Sequence, residues 1–161
     1  MDVVRPVSTF ILAAVIKDAP YLMSARTLES SNVLMIPSAN LLAAMREDSE
    51  FGIAMVTELA RCYRGVVRSL KNVKLRSAVE RLANYLLRLR EEQGGRDTVM
   101  LPFEKRLIAS QLGMSAENLS RAFNTLKPYG VGVQGSEIEL TMIEDLAMLA
   151  IPSRLIDDPD S

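Results

Sequence analysis

Three side chains between positions 117 and 121 have the chemistry that reads the edges of DNA bases. Arg121 can donate two parallel hydrogen bonds to a guanine, Glu117 can accept from the amino group of a cytosine, and Ser120 can bond to either kind of edge. Together with Ala116 they would face outward near the N-terminus of one helix, as base-reading residues do in the major groove. Glu117 and Arg121 are four residues apart, so a simple surface ion pair is the alternative.

The segment around these residues, from 105 to 124, fits a helix-turn-helix position by position. Ala109 is small where two helices would cross, and Gly113 stands where the first helix must end in a turn with positive φ. Ser115 is a good N-cap for the second helix. A small core would fix the angle between the helices through Ile108, Leu112, Met114, Leu119 and Phe123. Beside the base-reading residues, Ser115 and Lys127 are expected to bind phosphates.

A β-hairpin wing is predicted after the second helix, because two alternating runs between Tyr129 and Leu140 surround a Gln-Gly-Ser turn. Residues 143 to 150 favour a short closing helix, and residues 152 to 161 are expected to fray. Before the motif, the run from 75 to 92 predicts a helix with one apolar face. The arginines and glutamate of this run are expected outside that face: Arg76, Glu80, Arg81, Arg88 and Arg90.

The formal net charge of −1 is unevenly distributed along the chain. Residues 1 to 74 hold nine Lys/Arg and seven Asp/Glu (+2), and residues 75 to 130 hold nine and six (+3). Residues 131 to 161 hold one and seven (−6), which is also typical of a plain solvated terminus. The low overall charge therefore does not argue against DNA binding by the central segment, residues 75 to 130.

An apolar seam runs along a long helix predicted to begin at Asp48 and to end near Lys74. Its members follow one another at spacings of 3, 4, 3, 4 and 3: Ile53, Val56, Ala60, Tyr63, Val67 and Leu70. A neighbouring face carries Met55, Leu59, Cys62, Val66 and Val73. Such a seam joins two copies of a chain in a coiled coil, or else the helix is buried on two sides within one chain.

The segment before this helix mixes β-favouring runs with turn residues. It predicts three short strands, at Thr9–Ile16, Met23–Leu28 and Val33–Pro37, followed by a short helix at Ala39–Arg46. Three strands cannot close a core without partners. We therefore expect a larger β-domain to begin upstream of Met1.

The composition argues against most catalytic and metal chemistry. The chain has no histidine and a single cysteine, Cys62, so it lacks an internal disulfide, the usual zinc, haem and iron–sulfur ligands, and any Ser-His or Cys-His nucleophile. No apolar stretch approaches the roughly 20 residues that cross a bilayer, and no signal-peptide cleavage site is recognisable. We expect a soluble cytoplasmic protein that is not an enzyme, with no membrane contact and no metal or cofactor in this chain.

Taken together, these segments resemble the cyclic-AMP-receptor/fumarate-nitrate-reduction (Crp/Fnr) superfamily of transcription regulators. The matching stretches are Arg81-Leu82-Ala83-Asn84-Tyr85-Leu86-Leu87, Ile108-Ala109-Ser110-Gln111-Leu112-Gly113-Met114-Ser115 and Glu117-Asn118-Leu119-Ser120-Arg121. The resemblance implies an α+β, mainly helical fold. Its parts are a partial sensor β-roll at 1–47, a dimerisation helix at 48–74 and a winged-helix DNA-binding domain at 75–161. It also implies a homodimer on a palindromic site of double-stranded DNA and contact with RNA polymerase. The Glu-x-x-Ser-Arg arrangement is similar to the fumarate-nitrate branch, whose half-sites resemble TTGA.

The sequence departs from the superfamily at the positions that bind the ligand in its sensor β-roll. Phe10-Ile11-Leu12 stands where nucleotide-binding members have Phe-Gly-Glu, and Met23-Ser24-Ala25 stands where they have Arg-Ser-Ala. The ribose-binding acid and the phosphate-binding arginine are absent, and the cysteines of the iron–sulfur branch would lie mostly upstream of this chain, so the effector stays unknown. The first half of the β-roll is missing, and we expect a fragment or an unusually short member. A winged-helix protein-interaction module that binds no DNA is the alternative function.

Overall fold

The computed structural model describes residues 3, 4 and 8 to 157 of the chain. Among these residues it contains eight helices, three strands and one 3-10 turn: α1 (Leu12–Lys17), α2 (Ser38–Glu47), α3 (Ser49–Leu75), α4 (Ala78–Glu92), β1 (Thr98–Met100), α5 (Lys105–Gln111), α6 (Ala116–Leu126), the 3-10 turn (Lys127–Tyr129), β2 (Val131–Gln134), β3 (Glu137–Leu140), α7 (Ile143–Ala150) and α8 (Arg154–Asp157). The predicted fold class, α+β and mainly helical with a winged helix-turn-helix, is confirmed. The chain divides into two units, residues 4–64 and residues 65–157 with Val3.

In the first unit, the three strands predicted for the partial β-roll are wrong. The first run forms α1 between Ile11 and Asp18, two residues with positive φ, and the chain from Ala19 to Pro37 is irregular. Side chains of this irregular stretch are open to solvent, and Leu22 is 95% exposed. A β-favouring run becomes a strand only when neighbouring strands pair with it, and the described part of this unit supplies none. The assignment of residues 1–47 to a sensor domain stays a prediction.

The short helix and the long helix predicted next are both confirmed, as α2 and α3. Asp48 separates them, and its carboxylate accepts hydrogen bonds from the backbone amides of Glu50 at 2.9 Å and Phe51 at 3.0 Å. This side chain satisfies amides that the first turn of a helix leaves without partners. The 27 residues of α3 span about 40 Å, long enough to carry the whole predicted seam.

The second unit is built around one hydrophobic core between α4, α5, α6, α7 and an antiparallel sheet of order β1-β3-β2. Ile138 lies at the centre of the sheet, opposite Val99 on one side and Val133 on the other. Ser77 begins α4 with a capping box, because its hydroxyl accepts from the amide of Glu80 while that glutamate accepts from the amide of Ser77. The largest fully buried side chains are Leu82, Leu86, Ile108, Leu119, Leu126, Ile138, Leu140, Leu146, Val99 and Val131.

Two arginines that the sequence placed outside the apolar face, Arg76 and Arg81, are buried instead. Arg76 forms a double ion pair with Asp157, each Nη donating to one carboxylate oxygen at 2.6 Å. The backbone amide of Ser153 donates to the same carboxylate at 2.7 Å. The expectation that the chain frays from Pro152 onward is therefore wrong as far as Asp157, and residues 158–161 lie outside the described part.

The contacts of Asp157 also change its acidity. Burial by itself raises the pKa of this carboxyl, but the hydrogen bonds from Arg76 and from the amide of Ser153 outweigh burial and lower the pKa below its ordinary value. The charged form is therefore the one that holds α8 in place.

Candidate nucleic-acid interface

The turn between α5 and α6 has the geometry that a helix-turn-helix needs. Gly113 has φ 64°, its amide donates to the carbonyl of Ser110 at 3.1 Å, and the amide of Met114 donates to the carbonyl of Ala109 at 2.9 Å. These two bonds form a Schellman motif, which requires a left-handed residue at the position of the glycine. Ala109 is 1% exposed at the predicted crossing of the helices. The motif predicted from the sequence is thus present in backbone detail.

The predicted reading face of α6 is on the outside of the domain. Ser115 is the N-cap, and its hydroxyl accepts from the amide of Asn118 at 3.1 Å. The inner side of the helix is anchored in the core by Leu119, Ala122, Phe123 and Leu126. The predicted DNA-contacting residues are all exposed: Ser115, Ala116, Glu117, Ser120, Arg121 and Lys127. One helical face therefore brings the whole predicted set together, with Lys127 just beyond its end.

Glu117 and Arg121 form the ion pair that their spacing allows. The two side chains are 72% and 70% exposed, and an exposed pair of this kind stabilises a helix by only about 0.3–0.5 kcal/mol. The hydroxyl of Ser120 donates to the carbonyl of Ala116 at 3.1 Å, so it too is held by a bond that is easily exchanged. The side chains of Glu117, Arg121 and Ser120 can therefore exchange these partners for groups on DNA at a small cost in free energy.

An open groove of about 360 Å³ lies between α6 and the wing strand β2. Its lining comprises Lys105, Ser120, Phe123, Asn124, Lys127, Val131, Gly132 and Val133. The ammonium of Lys105 lies 5.6 Å from the centre of the Phe123 ring, which holds this cation near the face of α6. Two lysines thus flank the groove, and cations at such a place suit the phosphates of a nucleic acid.

The sequence did not identify two polar residues of this groove, Lys105 and Asn124, as members of the interface. Asn124 is exposed three residues after Arg121, so the helical period could have identified it. Lys105 belongs to the start of α5 and approaches α6 only through the packing of the two helices. No local signal distinguishes this lysine from any other surface lysine.

The predicted wing is formed by β2 and β3, joined by a two-residue turn at Gly135 and Ser136. At its base, Gly130 has φ 77°, and a Cβ atom there would lie 2.5 Å from the backbone nitrogen of Met142. This close approach and the positive φ admit only glycine. The exposed face of β3 carries Glu137 and Glu139, which would repel phosphates, so the cations of the neighbouring groove are better placed to bind them.

The predicted dimerisation residues lie along α3, and most of them are exposed. Ile53 is 67%, Val56 61%, Tyr63 70% and Leu70 53% exposed. Ala60 is also exposed, whereas Val67 is half-buried. The seam therefore offers a row of apolar side chains to solvent along one helix, a surface that monomeric proteins normally keep small.

The described residues offer neither a metal site nor a membrane span. In the described residues, no group of three or more Cys, Asp or Glu side chains is placed to hold a metal ion. Within the same residues, no helix combines the length and apolar character needed to cross a membrane.

Comparison with known proteins finds a family model and a relative that each match part of this chain. Residues 80–150 match the family described as the Crp-like helix-turn-helix domain. A stretch of 59 residues is 42% identical to the nitrogen fixation regulation protein FixK of Bradyrhizobium diazoefficiens, and it covers 34% of this chain and 25% of that protein.

Two solved structures are also similar to this chain. A regulatory protein of Silicibacter pomeroyi DSS-3, to which cAMP binding is ascribed, is 36% identical with a TM-score of 0.51, covering 71% of this chain and 50% of that one. FixK2 of Bradyrhizobium japonicum is 24% identical with a TM-score of 0.58, covering 73% and 61%, and this likeness supports the fold alone. The chain thus spans about half the length of the Silicibacter protein, and its match to FixK spans a quarter of that relative.

Proposed function

We propose that this chain, in which residues 80–150 match the Crp-like helix-turn-helix domain, is a transcription regulator of the Crp/Fnr type that binds a palindromic site on double-stranded DNA as a homodimer. The observation that carries the proposal is the open face of α6, where Arg121, Glu117 and Ser120 stand together above a buried apolar side. Polar groups of this kind at the start of a recognition helix are what the major groove requires. No catalytic role is proposed for any residue.

Each residue of the interface has a distinct role in this proposal. Arg121 leaves its pairing with Glu117 and donates both Nη groups to a guanine, while Glu117 accepts from a cytosine amino group. Ser120 and the small Ala116 contact neighbouring base edges. Ser115 and Lys127 bind phosphates at the two ends of the helix, and they fix its position without reading sequence.

The homodimer is proposed to form through the exposed seam of α3. Six apolar residues at alternating spacings of three and four make the contact of a two-stranded coiled coil, namely Ile53, Val56, Ala60, Tyr63, Val67 and Leu70. A two-fold dimer would present two copies of α6 to successive major grooves about 34 Å apart, which is why the site should be palindromic. Contact with RNA polymerase completes the proposal and rests on likeness to the superfamily alone.

Selection from a random DNA library with the full chain tests this function. The expected product is a palindrome with half-sites about one helical turn apart, bound at least about 10³-fold more tightly than unrelated DNA. A gel-shift with genomic fragments at low salt is the companion measurement. No enrichment and no shift would contradict the proposal and favour a winged-helix module that binds proteins instead.

A further inference from the structure

Arg81 lies buried where the end of α3, the start of α4 and the turn of the helix-turn-helix meet. Its Nη1 donates to the carbonyl of Arg76 at 2.7 Å and to that of Val73 at 3.3 Å. Its Nη2 donates to the carbonyl of Gly113 at 3.5 Å, the longest of the three bonds. One guanidinium group thus bonds both to the chain at the end of α3 and to the turn that precedes α6.

A direct packing contact joins the same two places. A Cβ atom at Gly113 would lie 3.0 Å from Cγ2 of Val73, so the last turn of α3 presses against the turn of the motif. The Schellman geometry of Gly113 and this contact leave the turn little freedom on that side. The hydrogen bond from Arg81 and the contact with Val73 therefore restrain the same backbone segment.

Core stability alone does not account for a charged group at this position. Burial of a guanidinium carries a desolvation cost, and the Nε of Arg81 finds no hydrogen-bond partner among the described residues. An apolar side chain of similar size could fill the space without that cost. What only arginine offers is a planar fork of donors that can reach carbonyls on two separate segments, since lysine is a single point charge.

We propose that Arg81 is a positioning residue for DNA recognition, which holds the turn from Gly113 to Ser115, and with it the start of α6, against the end of α3. The inference rests on the proposed function of α6. Arg81 would touch no DNA itself. Its effect would be to preserve the angle at which α6 presents Arg121, so that the base-reading group is in place before DNA arrives.

The full chain carrying R81M or R81K tests this role, with D157N as the matched control. Methionine removes all donors while keeping the length of the side chain, and lysine retains the charge without the fork. D157N weakens the neighbouring bond to Arg76, and the hydrogen bonds that Asp157 accepts within the described chain come from Arg76 and Ser153 rather than from the turn at Gly113. Hydrogen exchange of backbone amides in the absence of DNA reports the turn directly, and binding to selected and unrelated DNA reports recognition.

In R81M, amides of residues 113–118 are expected to exchange about tenfold faster, while those of α4 and the sheet are unchanged. Affinity for the selected site should fall about tenfold, with affinity for unrelated DNA unaltered, because only alignment is lost. R81K should lie between R81M and the parent. D157N should loosen residues 153–157 and leave both the turn and the preference for the selected site as they were.

Two results would overturn the inference. Unchanged exchange at residues 113–118 in both R81M and R81K would show that Arg81 does not hold the turn. Faster exchange throughout the domain in both variants would show that Arg81 serves general stability only. If the parent chain prefers no DNA sequence, the proposed function fails, and the same exchange data still decide whether Arg81 restrains the turn.

Discussion

Replacement of Arg121 by alanine should separate DNA recognition from stability. The side chain is 70% exposed, and its described partner, Glu117, is equally open to solvent. Loss of this pair should cost about 0.5 kcal/mol or less, and alanine is at least as good a helix former as arginine. For a domain of this size, the melting temperature should therefore fall by less than about 4 °C.

The expected effect on DNA binding is larger than the effect on stability. A bidentate contact to guanine contributes about 1–3 kcal/mol of discrimination, which corresponds to a loss of about 5-fold to 160-fold in affinity for each half-site. In a symmetric dimer both half-sites lose the contact, so the free-energy change doubles at most. Discrimination at one base pair of each half-site should relax at the same time.

Fluorescence anisotropy with the selected site, and with that site changed at single base pairs, measures both quantities at a fixed salt concentration. Arg88→Ala is the control, since Arg88 and Glu92 form another exposed pair four residues apart, on α4. Lys127→Ala supplies the contrast, because loss of a phosphate contact should weaken all sequences alike and reduce the salt slope by about 1 for each subunit of the dimer. If Arg121→Ala binds the same site with unchanged preference, Arg121 is not the base reader. A large drop in melting temperature would refute the stability argument.

Four further outcomes are expected. Replacement of the exposed Val56 and Tyr63 together by glutamate should give a monomer in sedimentation, whereas a parent-like species would show that the seam does not join two copies. Calorimetry should detect no useful affinity for cyclic AMP or cyclic GMP, because Met23 offers no charge for a phosphate. Gly130→Ala should lower the free energy of unfolding by about 1–3 kcal/mol or more, as measured by thermal unfolding. The loss should exceed that of Gly135→Ala, because a Cβ atom at Gly135 would meet no other atom within 4 Å. Because the pKa of Asp157 is lowered in the fold, its carboxylate stabilises the protein above the ordinary pKa of about 3.9, and this stabilisation is lost as pH falls below that value. The melting temperature of D157N should therefore lie below that of the parent at pH 7 and approach it as the solution is acidified, and a constant difference would contradict this account.

The helix-turn-helix and its reading face could be predicted because their determinants are close together in the chain. The N-cap at Ser115, the left-handed turn at Gly113 and the outward position of Arg121 all depend on residues within one or two helical turns. Local geometry of this kind follows from backbone sterics and helical period, which a sequence displays directly. The wing is similar, since its turn and its alternation lie within twelve residues.

The tertiary structure decided the features whose partners are distant in the sequence. Arg76 and Asp157 are 81 positions apart, so the burial of that arginine and the order of α8 had no local signal. Arg81 bonds to Gly113, which lies 32 positions later in the chain. The helical period of α4 alone places Arg81 on the polar side, because it gives no information about which other segments pack against the helix. The N-terminal runs show the opposite case. Their residues favour strands, but a strand needs hydrogen-bonded neighbours, and without them in the described chain the same residues form a short helix and irregular backbone.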